Sequence, residues 1–160
     1  MPVLNLVHLN LHVSDLDRSV AFYGLLGWKP MFPDGDMGEP HEMQPPIAVS
    51  PKNDYGGGVV RTAILTLGDD PRAATKLELI QYVDPPPAPR PRKPKNEVGV
   101  HRIAMRVKDI DGLVADLRAK GVHFPHDPID IGLAELGSRQ RFVLFPDPDE
   151  NLLEFIELFR

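Results

Sequence analysis

The sequence predicts an α+β fold of two tandem βαβββ modules, residues 1–83 and 98–160, and three observations carry that prediction. The stretch HLNLHVSDLDRSVAFYGLLG from His8 to Gly27 returns as RIAMRVKDIDGLVADLRAKG from Arg102 to Gly121. At one constant offset Val13 falls on Val107, Asp15 on Asp109, Asp17 on Asp111, Val20 on Val114, Ala21 on Ala115 and Gly27 on Gly121. Each half then closes on a similar strand, LELI at Leu77–Ile80 and LEFI at Leu153–Ile156. Glu78 is thereby equivalent to Glu154, and His8 to Arg102. Third, the halves are separated by residues 84–97, whose DPPPAPRPRKPK run holds six prolines in twelve residues. So many missing amide donors favour a stiff, extended linker over a sheet.

The elements follow in order. Leu6 to Val13 alternates, with Leu9, Leu11 and Val13 on one face and His8, Asn10 and His12 on the other, as a half-buried strand does. Ser14 or Asp15 caps a helix whose apolar residues Leu16, Val20, Phe22 or Tyr23, and Leu26 recur at helical spacing until Gly27 stops it. Trp28 returns to extended structure. Residues 31–58, rich in Pro, Gly and Asp, are expected to form a long loop that could cover a site. Val59–Leu67 and Lys76–Val83 are strands, the second with Glu78 on the face opposite Leu77 and Leu79. In the second half Gly99–Val107 is a strand, Asp109–Lys120 a helix and Phe124–Ile129 an extended segment. The strands Gln140–Phe145 and Leu152–Leu158 flank the turn PDPDEN.

Composition narrows the function. At 160 residues and 42% apolar content, the chain can bury a sizeable core. No apolar run nears the roughly 18 residues that span a bilayer, and MPVLNLVHLN has no signal-peptide pattern, so a cytoplasmic protein without membrane partners is expected. The absence of cysteine removes disulfides, thiolate metal sites and cysteine nucleophiles, leaving imidazole and carboxylate for any metal. A formal charge of −5, with the only basic cluster interleaved with prolines, argues against a nucleic-acid partner.

The segments VHLNLHVSDLDRSVAFYGLLGW, GVHRIAMRVKDID and FPDPDENLLEFIEL resemble the vicinal oxygen chelate superfamily, over nearly the whole chain. Its members include glyoxalase I, methylmalonyl-CoA epimerase, extradiol dioxygenases, and fosfomycin- and bleomycin-resistance proteins. The resemblance implies that the modules form one open, cupped mixed sheet. It also implies a divalent metal held by the first and last strands of each module, where a substrate with vicinal oxygens binds. His8, Glu78 and Glu154 match metal-ligand positions, with Fe, Mn, Ni or Zn as the expected ion. Either glutamate could also move a proton. The fourth position holds Arg102 in place of the expected His, and His101 lies one residue too early, where a strand would point it to the other face.

Two readings of the site stay open. Two glutamates set among apolar neighbours need positive charge, which either an ion or the planar fork of Arg102 can supply. Asn10, His12 and Arg106 share faces with His8 and Arg102 and are candidate substrate contacts, whereas Trp28, Phe22, Tyr23 and Phe155 are expected in the core. His41, His123 and His126 receive no role. The expected function is a small-molecule isomerase, lyase or dioxygenase with a depleted or three-ligand metal site. The alternative is a metal-free binding or sequestration protein of the bleomycin-resistance type. Sheet edges left by open modules predict a homodimer.

Overall fold

Apolar and polar residues alternate over Leu9–His12, which forms β1 with Asn10 and His12 exposed, and burial alternates again over Ile103–Arg106, which forms β6 with Ala104 and Arg106 exposed. These are the first strands of two units, Met1–Pro91 and Arg92–Arg160, in a computed structural model. It describes residues 6–32, 39–42, 58–68, 70, 74–88, 98–133 and 138–159. The units divide within the proline-rich segment. The first continues with α1 (Leu16–Leu25), β2 (Lys29–Pro30), β3 (His41–Glu42), β4 (Val59–Leu67) and β5 (Thr75–Asp84). The second continues with α2 (Ile110–Ala119), β7 (Ile129–Leu133), β8 (Ser138–Pro146) and β9 (Leu152–Phe159).

The first sheet runs β1-β5-β4-β2 with β3 also on β4, and the second runs β6-β9-β8-β7. In each, the first strand lies parallel to the last and the other pairs are antiparallel, which makes both sheets mixed. One face of each sheet packs beneath its helix. In the first unit the core gathers Val13, Leu16, Tyr23, Trp28, Ala63, Leu65, Leu77 and Leu79, with Tyr23 edge-on to Trp28. In the second, Phe124, Phe145 and Phe155 stack at tilted angles with centroids 4.6–6.3 Å apart, beneath Val114 and Leu117. No described helix is long and apolar enough to cross a membrane.

The duplication extends to single hydrogen bonds. Val13 N donates to Ile80 O and Val107 N to Ile156 O, both at 2.9 Å. Gly27 and Gly121 end the helices at φ 92 and 90, a left-handed conformation that glycine adopts without a Cβ penalty. Asp15 caps α1, accepting from Arg18 N at 3.0 Å, and Asp109 caps α2, accepting from Gly112 N at 3.2 Å.

Several boundaries differ from the sequence reading. β1 and β6 begin at Leu9 and Ile103, because their pairing with β5 and β9 starts there. The 31–58 loop lies largely outside the described residues, but its His41–Glu42 pairs with Val59 and Val60, so β2 and β3 share the outer edge of β4. The extended segment at Phe124–Ile129 yields a strand only from Ile129, since Pro125 and Pro128 supply no amide for pairing. There Phe124 is buried instead, and Arg118 binds Asp127 at 2.7 Å and the His126 carbonyl at 3.1 Å. In the turn before β9 the buried Asp147 carboxylate accepts from the amides of Asp149 and Asn151 and from the Asn151 side chain, at 2.7–2.9 Å. That is the Asx chemistry expected of PDPDEN.

Candidate functional site

The period of a strand places Asn10, His12, Glu78 and Tyr82 on the sheet face away from α1, and register brings Asn10 beside Glu78 and His12 beside Ile80. His8 immediately precedes β1, and its Nε2 lies 3.5 Å from Glu78 Oε2. Both side chains are solvent-accessible, so this is a long contact whose charge depends on the imidazole's protonation. The His12 ring packs edge-on against Tyr82 at 5.4 Å, and loss of water holds its pKa below the ordinary histidine value. Tyr82 shares this face and touches His12, and the sequence reading does not single it out. Its spacing from Glu78 on the same strand face is the signal that identifies it.

The equivalent positions in the second unit hold a different pair. Arg102 immediately precedes β6, Ala104 lies beside Glu154 and Arg106 beside Ile156. Arg102 Nε approaches Glu154 Oε2 to 2.8 Å, with the glutamate side chain 8% exposed and the arginine 44%. A carboxylate this buried requires a cation, and here the guanidinium supplies it. His101 is exposed before β6.

These donor sets can be tested against the metal that the fold family implies. In the first unit, His8 and Glu78 are two plausible ligands where a closed or catalytic site needs three or four. In the second, Glu154 Oε2 is already in contact with a fixed positive charge. Within either unit no third His, Asp or Glu among the described residues joins these pairs in a group able to hold a metal ion. Arg102 and Glu154 together therefore do not fit a divalent ion. They fit a salt bridge with accessible guanidinium edges.

Sequence reading also misses a pair of ion pairs that set the scaffold. Arg61, beside Gln81 on the next strand, forks onto Asp17 at 3.0 and 2.9 Å, and Arg141, beside Glu157, forks onto Asp111. The guanidinium hydrogen bonds hold both aspartate carboxyls below their usual range. Gln81 accepts from Leu16 N at 3.0 Å, while Glu157 accepts from Asp109 N at 2.7 Å and Ile110 N at 3.2 Å. Each fork ties the start of a helix to its sheet, so these residues belong to the scaffold. His126 likewise fastens a loop, with Nε2 accepting from Leu144 N at 3.4 Å.

Among solved structures the chain is similar to a glyoxalase family protein from Bacillus cereus, with TM-score 0.74 and 19% identity over 100% of this chain and 97% of the other. It is also similar to a glyoxylase/bleomycin resistance protein/dioxygenase domain from Frankia sp., with TM-score 0.62 and 17% identity over 98% of both chains. The trypanothione-dependent glyoxalase I of Leishmania major gives TM-score 0.58 and 22% identity over 97% of this chain and 87% of the other. At such identities the likenesses show the fold. No curated protein sequence gives a significant match. The family model described as the Glyoxalase/Bleomycin resistance protein/Dioxygenase superfamily matches residues 7–139, in keeping with the duplicated modules, and the chain belongs to that superfamily.

Proposed function

We propose that the protein binds a small organic molecule on the sheet faces turned away from its helices without a divalent ion, using Arg102 as the fixed positive charge of its second module. The observation that supports this is the 2.8 Å contact of Arg102 with Glu154. A three-ligand set of His8, Glu78 and Glu154 would require the guanidinium to leave a buried carboxylate to an ion of the same sign of charge. Asn10, His12 and Arg106 lie on the same faces as these pairs and serve as contacts to the ligand.

The His8–Glu78 contact supports a second reading, in which the bound molecule is also turned over. An imidazole or carboxylate open to solvent can accept a proton from a bound substrate, and both are present at 3.5 Å. Thermal-shift screening in EDTA against metabolites and antibiotics tests both readings, since a ligand that binds only the native state raises stability by mass action. A hit that survives EDTA and weakens in Arg102→Gln supports ion-free binding, and recovery of the hit chemically altered supports turnover. Stoichiometric metal in protein purified without chelators, lost in His8→Ala, would overturn the ion-free reading. The edge strands β6 and β7 support self-association. A mass of 17.8 kDa by light scattering would overturn a homodimer.

A further inference from the structure

Strand register in the second unit aligns Arg106, Ile156, Phe142 and Ile129 in one row across all four strands. With strands about 4.8 Å apart the row is ~14 Å long. Residues paired directly across strands project from the same face. That face is the one turned away from the buried Met105, Phe155 and Val143. A solvated sheet face ordinarily carries polar residues at these positions. Here Ile129 is 46% exposed, and Leu158 and Ile131, flanking Gln140 in the next row, are 45% and 37% exposed.

Arg106 stands at one end of this apolar strip. The other described arginines of the unit, Arg102, Arg118, Arg139 and Arg141, are all held in ion pairs, whereas among the described residues none engages Arg106. A planar guanidinium at the head of an apolar track matches a carboxylate carried on an apolar body. A small carboxylate alone would gain only an exposed ion pair, which is weak. An uncharged molecule of equal length would lose the charge-assisted contact.

We infer that the ligand class is an amphipathic carboxylate, its head on Arg106 and its aliphatic or aromatic body along Ile156, Phe142 and Ile129. This rests on the ion-free binding reading and names the ligand for it. Calorimetric titration of the full chain in EDTA with octanoate, octan-1-ol and acetate tests it. Octanoate should bind about three- to fivefold more tightly than octanol, the gain expected of an exposed charge-assisted contact, and acetate should not bind measurably. Arg106→Gln should lower octanoate to the level of octanol, and Arg106→Lys should restore part of the difference. Ile129→Ser, at an exposed position, should weaken octanoate about threefold or more through lost apolar area.

Absence of octanoate binding, equal affinity for octanoate and octanol, or acetate binding as tightly as octanoate would overturn the assignment. Octanoate binding that survives Arg106→Gln but falls in Arg102→Gln would overturn it too, while leaving ion-free binding intact. Binding that appears only on adding a divalent ion would overturn both.

Discussion

In the first module Gln81 holds one helix amide, Asp15 is extended at φ −146 and Arg18 stands in the first turn. In the second, Glu157 holds two amides, Asp109 is left-handed at φ 52 and Gly112 stands where Arg18 does. The Asp109 carboxylate leans so closely over Gly112 that a Cβ there would collide with it. The modules thus reach one architecture by locally different routes, and the Arg61–Asp17 and Arg141–Asp111 forks are the common element. The site positions diverge further. His8–Glu78 is a longer pair with both side chains open to solvent, whereas Arg102–Glu154 is a closer pair that buries its carboxylate. The comparison teaches that duplication retains the contacts that seat each helix, while equivalent site positions can hold opposite electrostatic solutions.

The largest expected difference between the modules follows from that burial. Arg102→Gln leaves Glu154 without its cation and should destabilise by roughly 1–3 kcal/mol, below the value for a fully buried pair because the guanidinium is 44% exposed. His8→Gln, at a longer and more exposed contact, should change stability by less than about 1 kcal/mol. Urea denaturation of both variants measures this. Equal losses would erase the distinction between the pairs.

A second contrast is in pH dependence. Partial loss of water around the His12 ring, which packs against Tyr82, lowers its folded-state pKa, so as pH falls the unfolded chain takes up its proton first. Stability present above about pH 6.5 is therefore lost as pH falls through the folded value, and His12→Gln should flatten that slope. Arg106→Gln, the matched change in the second module, should leave the slope as it is.

The forks should behave alike. Asp17 and Asp111 have folded pKa values lowered first by hydrogen bonds from Arg61 and Arg141. Their stabilisation is present above the unfolded carboxylate value near 4 and is lost as pH falls through the folded one. Both are exposed, so Arg61→Gln and Arg141→Gln should give small, similar losses at pH 7 that vanish in acid and shrink in high salt. A large loss in one alone would break the equivalence of the modules.

The smallest net change is expected at Gly112. Gly112→Ala gains about 1 kcal/mol of helix propensity and displaces an aspartate cap of similar worth, so stability should move by under about 0.5 kcal/mol. In an Asp109→Ala background the same change should stabilise by nearly the full ~1 kcal/mol, because no cap remains to displace.

Much of this architecture is legible in the sequence because the repeat supplies two copies of each signal. The β-branched and apolar run Val59–Leu67 marks β4, where the strand lies, and Gly27 and Gly121 mark both helix ends. The match of Glu78 to Glu154 and of His8 to Arg102 picks out both site pairs from residue order alone. Arg61, Arg141, Gln81 and Glu157 are not legible, because their partners are 20 to 65 residues away and only strand register brings them together. The strip along Ile129, Phe142 and Ile156 is hidden for the same reason, since a row across four strands has no period along the chain.

In the ion-free reading proposed above, Arg102 takes the chemical place of a metal ligand beside Glu154. Calorimetric titration of wild type and Arg102→His with Ni²⁺, Zn²⁺ and Mn²⁺ tests it most directly. The account predicts no stoichiometric binding to wild type and tighter binding to Arg102→His, because the exchange removes a fixed positive charge beside Glu154 and adds an imidazole donor. One-to-one binding to wild type that is lost in His8→Ala, or unchanged affinity in Arg102→His, would contradict it.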